Sequence, residues 1–115
     1  MHTRTIPREF WRQELDGLSR AYDGALVSIE VVGADVGAQP AVIEQPLRGI
    51  SADRRGVTIS IARLDHHMPH PHQVRIVEAD EGAIMAVEIE EQEGTHTLLH
   101  FRSPARPELF DAAVE

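Results

Sequence analysis

The spacing of the apolar residues changes once along this chain, near Gly24, and this change limits the possible folds more than any other feature. Upstream of it the apolar residues recur at intervals of four, three and four, as on one face of a helix: Trp11, Leu15, Leu18 and Tyr22. Pro7 suits the first turn of a helix, and Asp23–Gly24 supplies its end. We therefore predict an N-terminal helix over residues 7–22.

Downstream of Gly24 the apolar residues alternate with polar ones, which is the pattern of half-buried strands. Runs of this kind cover 25–32, 41–51, 56–64, 74–79, 83–90 and 95–102. Residues 33–40 are predicted to form a loop, and Pro46 restricts its strand to an edge or a bulge. The predicted fold class is α+β, in which the helix packs on a curved antiparallel sheet or partial barrel of about six short strands.

The length of the chain, 115 residues, suits a single domain over 1–115. It would consist of the helix, a strand-rich part over 25–102, and a C-terminal tail over 103–115 that forms one helical turn or frays. The first residues lack the apolar segment of a signal peptide, and no apolar run is long enough to span a bilayer. We expect a cytoplasmic protein.

Three residue types are missing, and their absence excludes several kinds of chemistry. The chain has no Cys, so thiolate nucleophiles, iron–sulfur clusters and Cys-ligated zinc are excluded. All eleven basic residues are Arg, which excludes Schiff-base chemistry and a phosphate-loop lysine. Asn is also missing, so no Asn side chain stabilises an oxyanion. We predict neither an enzyme nor a cofactor-binding protein.

The net charge of −8 limits the partners of the chain. An acidic surface repels phosphate backbones and anionic lipids, so we expect neither nucleic acid nor membrane as a partner. The remaining candidate partners are another protein and a second copy of the chain, as in a homodimer. Protonation of all seven histidines would change the net charge from −8 to −1, so self-association should increase between about pH 6.5 and 5.

The segment DHHMPHPHQV (65–74) contains four histidines and is the most conspicuous local feature. Neighbouring histidines in an extended chain point apart, and the prolines favour an extended backbone, so we interpret the segment as a stiff polar crossover loop. The alternative is a weak metal site, whose candidate ligands are His66, His67, His70, His72 and Asp65.

Two further sets of polar residues lie on predicted strands of the C-terminal half. His96 and His100 are four residues apart, but four residues of a strand span about 13 Å, so they cannot chelate one metal ion. They share one face of the strand with Leu98, and this face is either exposed to solvent or part of an interface. Glu88 and Glu90 have a spacing compatible with an acid–base pair, but runs of this kind are more typical of a solvated hairpin arm.

Four segments, taken together in their order and spacing, resemble a family of small single-domain bacterial proteins of unknown function. They are TIPREFW, LRGISAD, the spacing H-x-M-x-x-P-x-x-V that starts at His66, and TLLHFRSP. The resemblance covers residues 6–104. It implies that, of the four loop histidines, only His66 recurs in the family, and it brings no assigned activity, cofactor or catalytic residue.

We expect a small cytoplasmic protein that acts as a non-enzymatic binding or accessory domain. One alternative is a metal-binding protein that uses the histidine segment 66–72. Another is a structural subunit of a homo-oligomer.

Overall fold

The structure, a computed structural model, describes residues 1–33 and 37–105. Along the chain its elements are β1 (His2–Ile6), a 3-10 turn (Arg8–Phe10), α1 (Trp11–Ala21), β2 (Leu26–Gly33), β3 (Gly37–Asp53), β4 (Gly56–Ile61), β5 (Leu64–Met68), β6 (Pro71–Glu78), β7 (Ile84–Glu91) and β8 (His96–Ala105). The predicted α+β class is confirmed. Of the predicted tail, residues 103–105 belong to β8, and the prediction for 106–115 lies outside the described residues.

The strands form a sheet in the order β1-β6-β7-β8-β2-β3-β4-β5, in which all neighbours are antiparallel. The sheet is open, and β1 and β5 lie at its two ends. Of the two predicted alternatives, the antiparallel sheet is therefore confirmed and the partial barrel is not, because the two end strands do not pair with each other. The predicted number of about six strands is wrong, since the described residues form eight.

Strand β3 has 17 residues and divides its pairing between two neighbours. Residues 37–46 pair with β2, and residues 47–53 pair with β4. Pro46 lies at this changeover, where the lack of a proline N–H costs least, and the pairing is irregular between Leu47 and Gly49. The loop predicted over 33–40 is wrong for Gly33, which ends β2, and for 37–40, which begin β3, while 34–36 lie outside the described residues.

Helix α1 covers the core side of the sheet. Its predicted apolar face is confirmed, because Trp11, Leu15 and Leu18 are buried in one cluster with side chains from both ends of the sheet. The indole Nε1 of Trp11 donates to the carbonyl oxygen of Ile6 at 2.9 Å, and the Arg8 guanidinium lies 4.4 Å from the ring centre. In the described part of the chain, no helix has the length and apolar character needed to cross a bilayer.

Ser19 joins the polar side of α1 to the edge of β3. Its hydroxyl oxygen lies 2.8 Å from the nitrogen and 2.7 Å from the carbonyl oxygen of Ile50, and 2.8 Å from the carbonyl oxygen of Leu15. The Ile50 N–H donates to the hydroxyl, which donates its one proton to either carbonyl. Past residue 46, where β2 no longer pairs with β3, Ser19 thus takes the place of a neighbouring strand.

The histidine segment is mostly strand, so the prediction of a crossover loop over 65–74 is wrong. Met68 and Val74 are fully buried and fix β5 and β6 against the core, with only Pro69 and His70 between the strands. Gly56 permits a close approach here. Its φ is +125°, and a Cβ atom at this position would lie 2.1 Å from the backbone oxygen of Met68.

Strand β1 was not predicted, because four of its five residues are exposed and only Ile6 is buried. It pairs with β6, from His2 opposite Glu78 to Ile6 opposite Val74.

We expect the substitution Ser19→Ala to lower the free energy of unfolding by about 1–3 kcal/mol, because it leaves polar backbone groups of Ile50 without a partner. Urea unfolding would measure the loss. Ser51→Ala is the matched control, since Ser51 is an exposed neighbour of Ile50 on the same strand. Equal midpoints for the two variants would show that the Ser19 hydroxyl does not hold the strand edge.

Candidate functional site

The structure places the predicted metal ligands on different sides of the molecule. On β5, His66 lies opposite the buried Ile59 and therefore on the core side. His67 is on the other face, where its Nδ1 atom is 2.7 Å from the Thr58 hydroxyl, and Asp65 lies on that same face opposite Ser60.

The other two histidines follow β5. His70 lies between β5 and β6, and its carbonyl oxygen accepts a hydrogen bond from Gln92 N at 3.0 Å. His72 is exposed near the start of β6. Within 1–33 and 37–105, no three His, Asp or Glu side chains are grouped as a metal ion requires. The five predicted ligands are therefore not brought together.

Burial, followed by the nearby charge of His67, lowers the pKa of the His66 imidazole. The unfolded chain, whose histidines titrate near pH 6.5, therefore binds a proton more readily than the folded chain does. The contribution of His66 to stability is fully present above about pH 6.5 and decreases as the pH falls through the unfolded pKa toward the folded one.

We accordingly expect His66→Gln to reduce the loss of stability between pH 7.5 and 5.5, as measured by urea unfolding at both pH values. His67→Gln is the control, because His67 is exposed on the opposite face of the same strand. The prediction fails if His66→Gln loses as much stability on acidification as the unmodified chain.

A different group of ionisable side chains is held together on the face of the sheet that points away from the core. This outer face is formed by β6, β7, β8 and β2. Its central residue is Arg75, whose Nη1 atom is 3.2 Å from Glu88 Oε1 and whose Nη2 atom is 2.7 Å from Glu90 Oε1. His96 Nδ1 lies 2.6 Å from the other Glu88 oxygen, Oε2.

These contacts favour the charged forms of the arginine and of one glutamate. The hydrogen bond from Arg75 lowers the pKa of Glu90, and the same bond raises the pKa of Arg75. The side chains of Arg75, Glu88 and Glu90 are 23%, 21% and 24% exposed, so they are partly withdrawn from water but still accessible. The arrangement can present fixed charges to a partner.

Beside this network lies an apolar cleft of about 380 Å³. Val77 of β6, Met85 and Ala86 of β7, and Leu98 and His100 of β8 line it. The pairing of β7 with β8 is irregular between Ile84 and Ala86, next to this cleft. Leu98 connects the cleft to the network, because it pairs with Glu88 on one side and with Glu30 on the other.

The sequence identified part of this surface. His96, Leu98 and His100 do share a face, and the intervening Thr97 and Leu99 are buried. Glu88 and Glu90 also lie on this outer face, beside Arg75. Arg75 was not predicted as part of this surface, because its contacts depend on the register between β6 and β7. Only the pairing of these two strands as a hairpin could have indicated it.

Comparison with known proteins assigns the chain to a family. Residues 2–109 match the model described as "Family of unknown function (DUF5335)", and the chain belongs to this family. It is also 34% identical over 110 residues to an "Uncharacterized protein" of Aquifex aeolicus (strain VF5), which covers 93% of this chain and 97% of that protein. The resemblance to a bacterial family of unknown function is confirmed. No solved structure matches the chain.

Proposed function

We propose that this chain is a non-enzymatic, cytoplasmic binding domain whose partner is a second copy of itself, and that the two copies meet through their outer faces. The observation that carries this proposal is the apolar cleft beside a network of paired charges on that face. An apolar centre with ordered polar groups around it is typical of protein interfaces.

The charge of the outer face favours a second copy over a differently charged partner. Arg75 and Arg102 contribute +2, while Glu30, Glu88 and Glu90 of the face contribute −3 and Glu44, which contacts Arg102 from the adjoining β3, contributes −1, so together they carry −2 with neutral histidines. The whole chain carries −8, which leaves −6 elsewhere. Two copies that meet through this face therefore bring together only a minor part of the negative charge that each of them carries.

A twofold axis would also place opposite charges next to each other. In a symmetric dimer the same patch contacts itself, so an acidic group of one copy can meet a basic group of the other. The outer face provides both kinds in alternation, since His96 contacts Glu88, and His100 Nε2 lies 3.4 Å from Glu30 Oε1.

The same groups make the proposed association depend on pH. Protonation of His96 and His100 would change the charge of the face from −2 to zero. The other charged groups that surround these two histidines are Arg75, Glu30, Glu88 and Glu90, together with His72 near Glu90. Association should therefore increase on acidification, and it should depend on the two β8 histidines rather than on the histidine segment of β5 and β6.

We expect the unmodified chain to associate as the pH is lowered from 7.5 to 5, and Leu98→Glu to abolish this association, because it places a carboxylate beside the cleft. Sedimentation velocity would measure the oligomeric state. Leu64→Glu is the matched control, since Leu64 is 54% exposed on β5 and the change in charge is the same. Equal effects of the two substitutions would contradict an interface at the outer face.

A second pair of variants identifies the titrating groups. The double variant His96→Gln/His100→Gln should shift the onset of association to lower pH. The triple variant His67→Gln/His70→Gln/His72→Gln should leave the onset close to that of the unmodified chain. The reverse result would assign the pH response to the histidine segment instead.

A further inference from the structure

A small pocket of about 110 Å³ lies where four segments of the chain meet. The segments are the turn before α1, the turn between β3 and β4, the connection between β5 and β6, and the turn between β7 and β8. The polar side chains among the lining residues are those of Arg8, Asp53, Arg54, His70 and Gln92. Since one water molecule occupies about 30 Å³, the pocket has room for a ligand the size of one carboxylate or phosphate group.

Contacts to the backbone fix the walls of this pocket. The Nη2 atom of Arg8 donates to the carbonyl oxygen of Pro71 at 2.9 Å, which joins the turn before α1 to β6. The Gln92 N–H donates to the carbonyl oxygen of His70 at 3.0 Å, which joins the β7–β8 turn to the β5–β6 connection. Gly56 allows the β3–β4 turn to lie directly against the end of β5, where a Cβ atom would overlap the backbone. The four segments are therefore held in place without a ligand.

The side chains that line the pocket carry more positive than negative charge. Arg8 and Arg54 contribute +2 and Asp53 contributes −1, so the lining carries +1 with a neutral His70, whereas the whole chain carries −8. The Oδ1 atom of Asp53 accepts a hydrogen bond from the Arg55 N–H at 2.7 Å, so part of this carboxylate is occupied within its own turn. The pocket is a local positive site on an acidic protein.

The pocket also offers more hydrogen-bond donors than acceptors. The Arg54 guanidinium has five N–H groups and makes no hydrogen bond or ion pair with any residue of 1–33 or 37–105. The Arg8 guanidinium lies 4.4 Å from the centre of the Trp11 ring and is held there by its bond to Pro71, which uses only one of its N–H groups. An oxyanion accepts hydrogen bonds and donates none, and the planar fork of arginine matches carboxylate and phosphate oxygens in particular.

We propose that this pocket binds a small oxyanion, the carboxylate or phosphate group of a ligand, between the guanidinium groups of Arg8 and Arg54. Arg8 is the preorganised partner, because Trp11 and Pro71 already hold its side chain and little further ordering is needed on binding. The acidic surface around the pocket repels long polyanions, so the site takes a single anionic group and not a nucleic acid.

Titration of the isotope-labelled chain with sodium phosphate and with sodium acetate tests this proposal by nuclear magnetic resonance. Sodium chloride, added to the same ionic strength, is the control. We expect the signals of Arg54, Gly56 and Gln92 to shift and saturate with phosphate or acetate but not with chloride. Tighter binding of phosphate than of acetate would identify a phosphate group as the ligand chemistry, and the reverse a carboxylate group. Shifts that do not saturate, or that chloride reproduces, would overturn the proposal.

Three single substitutions assign the binding to the pocket. Arg54→Gln should weaken the binding of the tighter probe about tenfold, because it removes charge-assisted hydrogen bonds. Arg63→Gln is the matched control and should leave the affinity unchanged, since Arg63 is an exposed arginine at the other end of β4 and the change in charge is the same. Equal affinities of these two variants would overturn the proposal.

The third substitution, Asp53→Asn, should tighten binding about threefold, which is the effect of one exposed charge. Asn keeps the oxygen that accepts the hydrogen bond from the Arg55 N–H and removes the negative charge from the lining. A gain in affinity cannot result from a failure to fold. An affinity of Asp53→Asn equal to or lower than that of the unmodified chain would also overturn the proposal.

Discussion

The contact between the Ser19 hydroxyl and the backbone of Ile50 joins helix α1 to the second half of strand β3. The hydroxyl accepts a hydrogen bond from the Ile50 N–H and lies 2.7 Å from the Ile50 carbonyl oxygen. Strand β3 leaves β2 at Pro46 and pairs with β4 beyond it. Leu47 still bonds to the backbone of Gly24 and Ala25, so it is the edge of β3 beyond Leu47 that would otherwise lack partners. A buried edge without hydrogen bonds is costly. Because α1 supplies them, the helix is fixed over the point where β3 changes partner, and its apolar face covers the core on both sides.

This position of the helix determines which surfaces are available for binding. The helix covers the core side of the sheet, and the opposite side of β6, β7, β8 and β2 forms the outer face. Arg75 lies there between two glutamates, and the adjacent cleft exposes part of Leu98. The charged groups on this face are paired with one another, so they can be partly withdrawn from water at a lower cost than isolated charges. In the proposed function, the outer face is the surface through which the chain binds a second copy of itself.

The local features of the fold could be predicted from the sequence, whereas the features that depend on distant residues could not. The helix followed from the spacing of Trp11, Leu15 and Leu18. Strand β1 was missed because its exposed residues show no alternation. Two contacts between distant residues leave no periodic signal in the chain. One is the register that places Arg75 beside Glu88 and Glu90, and the other is the contact of the Ser19 hydroxyl with a strand residue 31 positions away. The crossover loop predicted for the histidine segment was wrong for a related reason. The burial of Met68 and Val74 outweighs the preference of the prolines in this segment for a loop.

Residue-resolved hydrogen exchange of the Ile50 amide tests the central claim most directly. We predict that this amide exchanges as slowly as the central amides of β7 and β8, because Ser19 and the buried helix protect it although no strand pairs with it on that side. Exchange as fast as in an unstructured peptide, with β7 and β8 still protected, would show that α1 does not close the edge of β3.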